Sequence, residues 1–460
     1  MVKVAVIGID SAVWDFVFNK YKVYLPNLQK LMNNGVYGIM ESTIPAVTVP
    51  AWSSMMSGKD PGQLGVYGFR NRKDYSYTEL IISDSLSIKE PRIWDILSRN
   101  RKQSIVFTVP QTYPPKPLRG QLVGCFLTPD NNANYTYPES LKEEIERTTS
   151  GFIIDVREFR TEDKERLLKE IYEMTDKQFF AVKYLLTKYE WDFFMMVQMG
   201  IDRIQHGFWR FCDEKHRLYE KGNKYEFVLR DYYIYIDRKI GELIEKFDND
   251  TVIFVVSDHG SQNMYGGVCI NEVLIEEGLL KLKEYPAKIT QLKPEMIDWE
   301  RTYCFGEGGY FARLFLNVKD REERGIVHYN EIELFIKRVE AALNNVKDKD
   351  NNKIKITIYR PQEIYKECKN IPPDAIIYFG DLSYRSVGSV GYKSFITYEN
   401  DTGPDDSNHH PDALFILSNC KQLNKNGKLL HKISIYDIAP TILTLFNVSL
   451  PPGMIGKSLI

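Results

Sequence analysis

The sequence predicts an α/β fold: a three-layer αβα sandwich with a mainly parallel central sheet and an inserted α+β cap region. Three observations lead there. Apolar runs of strand length recur along the chain, with 1–10, 192–197 and 251–257 the clearest. Longer segments with helical spacing of apolar and charged residues lie between them, above all 161–188 and 224–247. Strands alternating with helices make βαβ units, whose sheet is parallel and covered on both faces. Third, Asp10, Asp258 and His259 stand just beyond the ends of two such strands. In open α/β sheets that is where ligands sit.

The elements follow in order. The first strand closes at Gly8-Ile9-Asp10. A helix is expected from about Leu25 to Asn34, stopped by Gly35. Val36 to Ser42 reads as a second strand. Pro50 sits where a first helical position would be, with Thr48 just before it. Ser104 to Val109 reads as a strand, and the four prolines of 110–117 make an irregular loop. Asp412 to Leu417 reads as a core strand, and Tyr436 to Phe446 as a final helix interrupted early by Pro440. From 266 to 400 the texture changes to glycine clusters (Gly306, Gly308, Gly309), a polar stretch at 347–353 and irregular apolar runs. This predicts an inserted cap of short strands and about two helices. The core is then 1–265 plus 401–460. Tyr303, Phe305, Tyr310 and Phe311 are expected to pack inside the cap rather than line a pocket.

Composition narrows the function. At 460 residues the prior is about three domains, or one large core with an insertion. Hydrophobic residues are 43% and charged residues 27%, which excludes a disordered chain, a collagen and a disulfide scaffold. Lys+Arg is 60 and Asp+Glu is 62, a net charge of −2, so no nucleic-acid duplex binding is expected. The six cysteines are scattered, with no Cys-x-x-Cys pair, which fits core thiols in a reducing cytosol. The N-terminus reads as a buried strand and not as a signal peptide. No apolar run of about 18 residues occurs, so no transmembrane segment is expected. The expected localisation is cytoplasmic, and the oligomeric state is left open.

Histidine is scarce, with seven in the chain, and several lie beside acids. Asp202 and His206 are spaced i, i+4, which on a helix puts both on one face. Asp258-His259-Gly260 directly follows a strand. His409 and His410 lie between a polar loop and a strand. Each segment has an ordinary reading: a turn former, a surface pair, exposed loop histidines. Thr48 is equally a helix cap or a nucleophile at an anion-attracting helix N-terminus. Together, however, Asp10, Asp202, Asp258 and the histidines at strand ends fit two adjacent metal sites. Mixed imidazole and carboxylate ligands suit zinc, manganese or iron better than magnesium or calcium.

These segments resemble the alkaline phosphatase superfamily, and within it the type I phosphodiesterase/nucleotide pyrophosphatase group. The residues that carry the resemblance are Ile7-Gly-Ile-Asp10, Thr48-Val-Pro50-Ala-Trp52, Met56-Ser-Gly58-Lys-Asp-Pro61, Asp202-Arg-Ile-Gln-His206, Ser257-Asp-His-Gly260, His409-His410-Pro411-Asp412 and Asp437-Ile-Ala-Pro-Thr441. The resemblance implies a metal-dependent phosphohydrolase for a small phosphate ester, with phosphodiester or pyrophosphate favoured. It implies Thr48 as a nucleophile that forms a phospho-enzyme. It also implies two divalent ions, zinc first and manganese or iron as alternatives. Asp10, Thr48, Asp258 and His259 would surround one ion, and Asp202, His206 and His409 the other. His409 is preferred to His410 because the family's ligand lies two residues before the proline.

One stretch departs from the pattern. Where nucleotide pyrophosphatases carry a phosphate-holding Asn, this chain has Phe69, with Arg70 and Asn71 as possible substitutes; Leu64 replaces a His. Competing readings are a phosphomutase or phosphotransferase of the same superfamily, and a non-catalytic protein on the same fold. A sulfatase is disfavoured because Thr48 cannot become formylglycine. A dinucleotide-binding enzyme is disfavoured because the required glycine pattern does not follow Gly8.

Overall fold

The computed structural model describes residues 2–423 and 427–460. The central sheet has nine strands: β1 (Val4–Ile9), β2 (Gly35–Glu41), β3 (Ser104–Phe107), β4 (Gly120–Val123), β5 (Thr136–Tyr137), β6 (Phe193–Gln198), β7 (Val252–Val256), β8 (Asp412–Ser418) and β9 (Lys428–Ser434). Their spatial order is β9-β2-β8-β7-β1-β6-β3-β4-β5. The run β7-β1-β6-β3-β4 is parallel throughout. β8 is antiparallel to both of its neighbours, β2 and β7. The chain returns from the 266–400 region above the carboxyl ends of the parallel strands and enters the sheet from that end. A strand that starts there must run against the others.

Successive side chains of a strand point to opposite faces, and here both faces are buried. In β1, Val4 and Val6 join one apolar cluster while Ala5, Ile7 and Ile9 join the other. β6 and β7 divide the same way. The helices Pro26–Asn33, Lys164–Lys188, Gly200–Cys212 and Val228–Ile244 cover one face through residues such as Leu28, Ile171, Phe208 and Ile236. The helices Thr48–Ser57, Ile93–Arg99 and Ile438–Leu445 cover the other through Trp52, Trp94 and Ile442. Each fully buried Val, Ile or Phe contributes about 1.5–3 kcal/mol, so the sandwich is held by its two faces together. Gly8 permits close packing on the strand: a Cβ there would lie 2.6 Å from the Trp52 ring and 2.9 Å from the Met196 carbonyl oxygen.

A second sheet draws its seven strands from Gly266–Cys269 through Ile396–Thr397, flanked by the helices Ile270–Glu276 and Ile332–Leu343. It has an apolar cluster of its own around Leu314, Val339 and Ile377. The glycine cluster serves close packing: a Cβ on Gly306 would lie 2.7 Å from Ile270, and one on Gly308 would lie 2.4 Å from the Gly388 nitrogen. Tyr365 and Tyr378 tie this region to the loop before Thr48, by hydrogen bonds to the Ile44 carbonyl and from the Ala46 N–H.

Several sequence expectations need correction. Thr48 is itself the first helical residue and Pro50 the third. Likewise Pro440 is the third residue of Ile438–Leu445 and does not interrupt it. The first four N–H groups of a helix have no intrahelical acceptor, so proline costs little there. The long helix starts at Lys164 and not at 161, because the Asp163 carboxylate caps it by accepting from the Arg166 N–H at 3.2 Å. The helix expected over 224–247 is Val228–Ile244. The helices Ile93–Arg99 and Leu141–Thr149 and the edge strand β9 were not expected from the sequence. No helix among the described residues is long and apolar enough to cross a membrane. All six cysteines are free thiols.

Candidate metal centre

The candidate ligands converge from five segments at the carboxyl end of the sheet. Asp10 directly follows β1, and its N–H continues the ladder to the Gln198 carbonyl at 3.0 Å. Asp258 and His259 follow β7 after one residue. Asp202 and His206 lie one turn apart on the helix Gly200–Cys212, which starts just past β6. His409 lies on the short strand Ser407–His410, which pairs with Gly260–Asn263. Adjacent strand residues face opposite ways, so His409 is buried while His410 is half-exposed beside Asp412. Thr48 opens its helix between them, with Oγ1 3.4 Å from His259 Nε2.

Two groups of ligand atoms result, each with all atoms within 4.8 Å of one another: Asp10 with Asp258 and His259, and Asp202 with His206 and His409. The His259 and His409 rings stack at 3.8 Å, so the two groups adjoin. None of the six residues is more than 3% exposed.

The surrounding hydrogen bonds leave one donor atom free on most of them. Trp52 Nε1 donates to Asp10 Oδ2 at 2.7 Å, and the Ser11 N–H donates to Asp258 Oδ1 at 3.1 Å. Asp10 Oδ1 and Asp258 Oδ2 are buried with no hydrogen-bond partner. Arg203 Nη1 holds Asp202 Oδ2 at 2.6 Å, itself braced by Asp155. Each histidine engages an oxygen through Nδ1: His206 with Asp405 Oδ1 at 2.6 Å, His259 with the Gly260 carbonyl at 3.0 Å, and His409 with the Ala46 carbonyl at 3.0 Å. An Nδ1–H so placed leaves the Nε2 lone pair for a metal, and such partners fix ring orientation and raise ligand basicity. Two orphaned buried carboxylate oxygens beside His259 fit a divalent ion in the first group, and one carboxylate with two oriented imidazoles gives the second group a metal-competent donor set.

The electrostatics point the same way. Burial, with the charges of Asp258 and Asp202 nearby, holds the Asp10 carboxyl well above the usual carboxylate range. Burial does the same to Asp258. Burial pushes His259 down and, with His259 and His206 nearby, pushes His409 further down, so both are neutral and able to coordinate. For His206 burial acts downward, but Asp405, Tyr310 and Asp202 outweigh it and raise its pKa well above the ordinary value. For Asp202 burial acts upward, but the His206 and Arg203 charges outweigh it and hold the carboxyl well below the usual range.

Two predictions follow from these contacts. Burial favours the protonated forms of Asp10 and Asp258, and neighbouring charges outweigh burial to favour that of His206, so protons compete with metal and affinity should rise with pH, with net proton release. Calorimetry in buffers of different ionisation enthalpy measures both, and a pH-independent affinity would contradict the assignment. Asp405→Asn keeps the shape but removes the charge behind His206, and zinc affinity should fall by about 10- to 100-fold. Unchanged affinity in a zinc-competition titration would show that Asp405 does not support the ligand.

Asp405, Arg160 and Tyr310 around the centre belong to no motif in the sequence, and Arg203 lies inside the Asp202–His206 motif without being singled out there. Tyr310 corrects an expectation, since its ring stacks on His409 at 3.8 Å and its hydroxyl lies 3.3 Å from His206 Nε2. Arg160 Nη2 donates to that hydroxyl at 2.7 Å, and Arg160 Nε to Asp405 Oδ2 at 2.9 Å. The backbone explains the placement: Gly309 bonds to Ser386, and Asn408 Nδ2 donates to the Tyr310 carbonyl at 3.0 Å. Trp52 lies within the quoted motif, one helical turn after Thr48. Asn71 is no phosphate ligand: its Oδ1 accepts from the Tyr67 N–H at 3.0 Å and its Nδ2 donates to Ser83.

The chain matches the family model "Type I phosphodiesterase / nucleotide pyrophosphatase" over residues 4–411. No curated protein sequence matches it significantly. Its fold is similar to that of human ectonucleotide pyrophosphatase/phosphodiesterase 5, at 14% identity and a TM-score of 0.55, over 99% of this chain and 97% of that one. An inactive threonine-to-alanine variant of the murine protein in complex with AMP is similar at 13% identity and a TM-score of 0.54, over 98% and 96%. The phosphonoacetate hydrolase of Sinorhizobium meliloti 1021, in complex with phosphonoformate, is similar at 13% identity and a TM-score of 0.61, over 95% and 94%. The family match across the greater part of the chain, on an alkaline phosphatase-like fold, makes this protein a member of the type I phosphodiesterase/nucleotide pyrophosphatase family and so a phosphoric ester hydrolase.

Proposed function

We propose that the chain cleaves phosphodiester or pyrophosphate bonds of a small substrate through a covalent Thr48 phospho-enzyme. Asp10, Thr48, Asp258 and His259 would hold one divalent ion and Asp202, His206 and His409 a second, with zinc the best match to this donor set. Such ions, when bound, supply positive charge to the phosphoryl oxygens and favour an ionised hydroxyl. Thr48 Oγ1 attacks phosphorus, a new P–O bond forms, and the bond to the leaving oxygen breaks. Water then cleaves the threonine ester and regenerates the hydroxyl. The first turn of the Thr48–Ser57 helix turns free N–H groups toward the anion. Trp52 holds Asp10, and Arg203 holds Asp202, in the orientation the site needs.

The observation that carries this reading is the pair of buried ligand groups flanking a threonine that has no structural partner beyond His259. We assign residues 266–400 the role of a cap on a core of 1–265 plus 401–460. A cavity of about 840 Å3 supports this role, with Val47 and Arg160 from the core and Tyr310 and Phe311 from the insertion in its wall. Six unpaired thiols are consistent with a reducing, cytoplasmic location. Elemental analysis with a panel of p-nitrophenyl mono- and diesters tests the proposal. Two ions per chain and preferential diester cleavage are expected. A metal-free, inactive protein would instead support a non-catalytic role.

A further inference from the structure

The cavity beside Thr48 has a charge that cleavage of a simple ester does not require. Among its charged wall residues Arg313 is neutralised by Glu307. That leaves Arg70, Arg160, Lys293 and Arg385 against Asp401. Arg160 is already engaged by Asp405 and Tyr310. Arg385 is different. It is 3% exposed, yet its Nε has no hydrogen-bond partner. Its Nη1 donates to Thr402 Oγ1 at 3.2 Å, and its Nη2 stands 3.7 Å from Asp401, beyond direct hydrogen bonding. Asp401 thus pairs loosely with Arg385 through Oδ1, while its Oδ2 accepts from Ser389 Oγ at 2.9 Å. A guanidinium offers five donors in a planar fork, and burying it with donors unmatched is costly.

The position of Arg385 relative to the site is set by backbone pairing. Its neighbour Ser386 exchanges hydrogen bonds with Gly309 at 2.9 and 3.0 Å, and Gly309 precedes Tyr310, which touches His206 and His409. Gly309 has φ +147°, and a Cβ there would meet nothing closer than the Phe311 carbonyl at 3.8 Å. Space is therefore left open at Gly309, and Gly309 and Arg385 line the same cavity. We propose that the substrate carries a second anionic group, a carboxylate or a phosphate, on its leaving-group side, and that Arg385 binds it. The proposal rests on the Thr48 reading, which places the scissile phosphate at the two ligand groups. Planar bidentate recognition of either anion is what an arginine fork provides.

The test is calorimetric titration of metal-loaded Thr48→Ala protein with phenyl phosphate, 4-carboxyphenyl phosphate and 1,4-phenylene bisphosphate. One or both dianionic-ring probes should bind on the order of tenfold more tightly than phenyl phosphate, and the better of the two identifies the anion. Arg385→Met should collapse that preference to about twofold or less. Arg385→Lys keeps the charge without the fork and should fall between. Equal binding of the three probes, no binding, or an undiminished preference in either variant overturns the proposal. Failure of the underlying reading would look different: the Thr48→Ala protein would still turn substrate over.

Discussion

Thr48→Ala is expected to lower kcat/KM toward a phosphodiester by on the order of 10^3-fold or more, with metal content and folding retained. The expectation follows from how little the hydroxyl does structurally. Its one side-chain hydrogen-bond partner is His259 Nε2 at 3.4 Å, while the helix it opens is held by its buried apolar residues Ala51, Trp52, Met55 and Met56. Thr48→Ser keeps a hydroxyl in place and should retain activity within about tenfold. Steady-state kinetics, elemental analysis and thermal unfolding on the same preparations check all three statements. A Thr48→Ala protein with wild-type turnover would remove the nucleophile from the account.

Asp258→Asn should have the second-largest effect, and in two opposite directions. Loss of one anionic ligand should reduce bound metal and lower activity by on the order of 10^3-fold, since a metal ion supplies several kcal/mol of charge stabilisation. The metal-free protein should respond the other way. Burial raises the Asp258 and Asp10 carboxyls far above their unfolded values of about 3.9. Between those limits the folded state holds more protons than the unfolded state, so metal-free stability falls as pH rises. Removing one of the two acids relieves that penalty. At neutral pH the metal-free variant should therefore unfold at the same or a higher Tm than the metal-free wild type, and gain less on adding zinc. A metal-free variant with a clearly lower Tm would mean that Asp258 is primarily structural.

The two candidate ligand groups are legible in the sequence because histidine is rare and their members lie in short segments in or just after strands, where local reading is reliable. Even the choice of His409 over His410 has a physical counterpart in strand alternation, which buries one and exposes the other. The central strands are legible because burial on both faces leaves unbroken apolar runs. β9 is not, because it is an edge strand with exposed Lys428 and Leu429 that reads as a mixed polar segment. Tyr310 and Asp405 escape for another reason. Both act on His206 from 104 and 199 residues away along the chain, through contacts that only the fold creates. Arg385 escapes in the same way, since its significance lies in an unmatched donor rather than in any pattern.

The central claim is that Thr48 becomes covalently bound to phosphorus. The stereochemical course tests it most directly, using a p-nitrophenyl phosphorothioate diester of defined configuration hydrolysed in isotopically labelled water. Two successive in-line displacements, one by Thr48 and one by water, predict net retention at phosphorus. Net inversion would mean a single attack by water and would contradict the account.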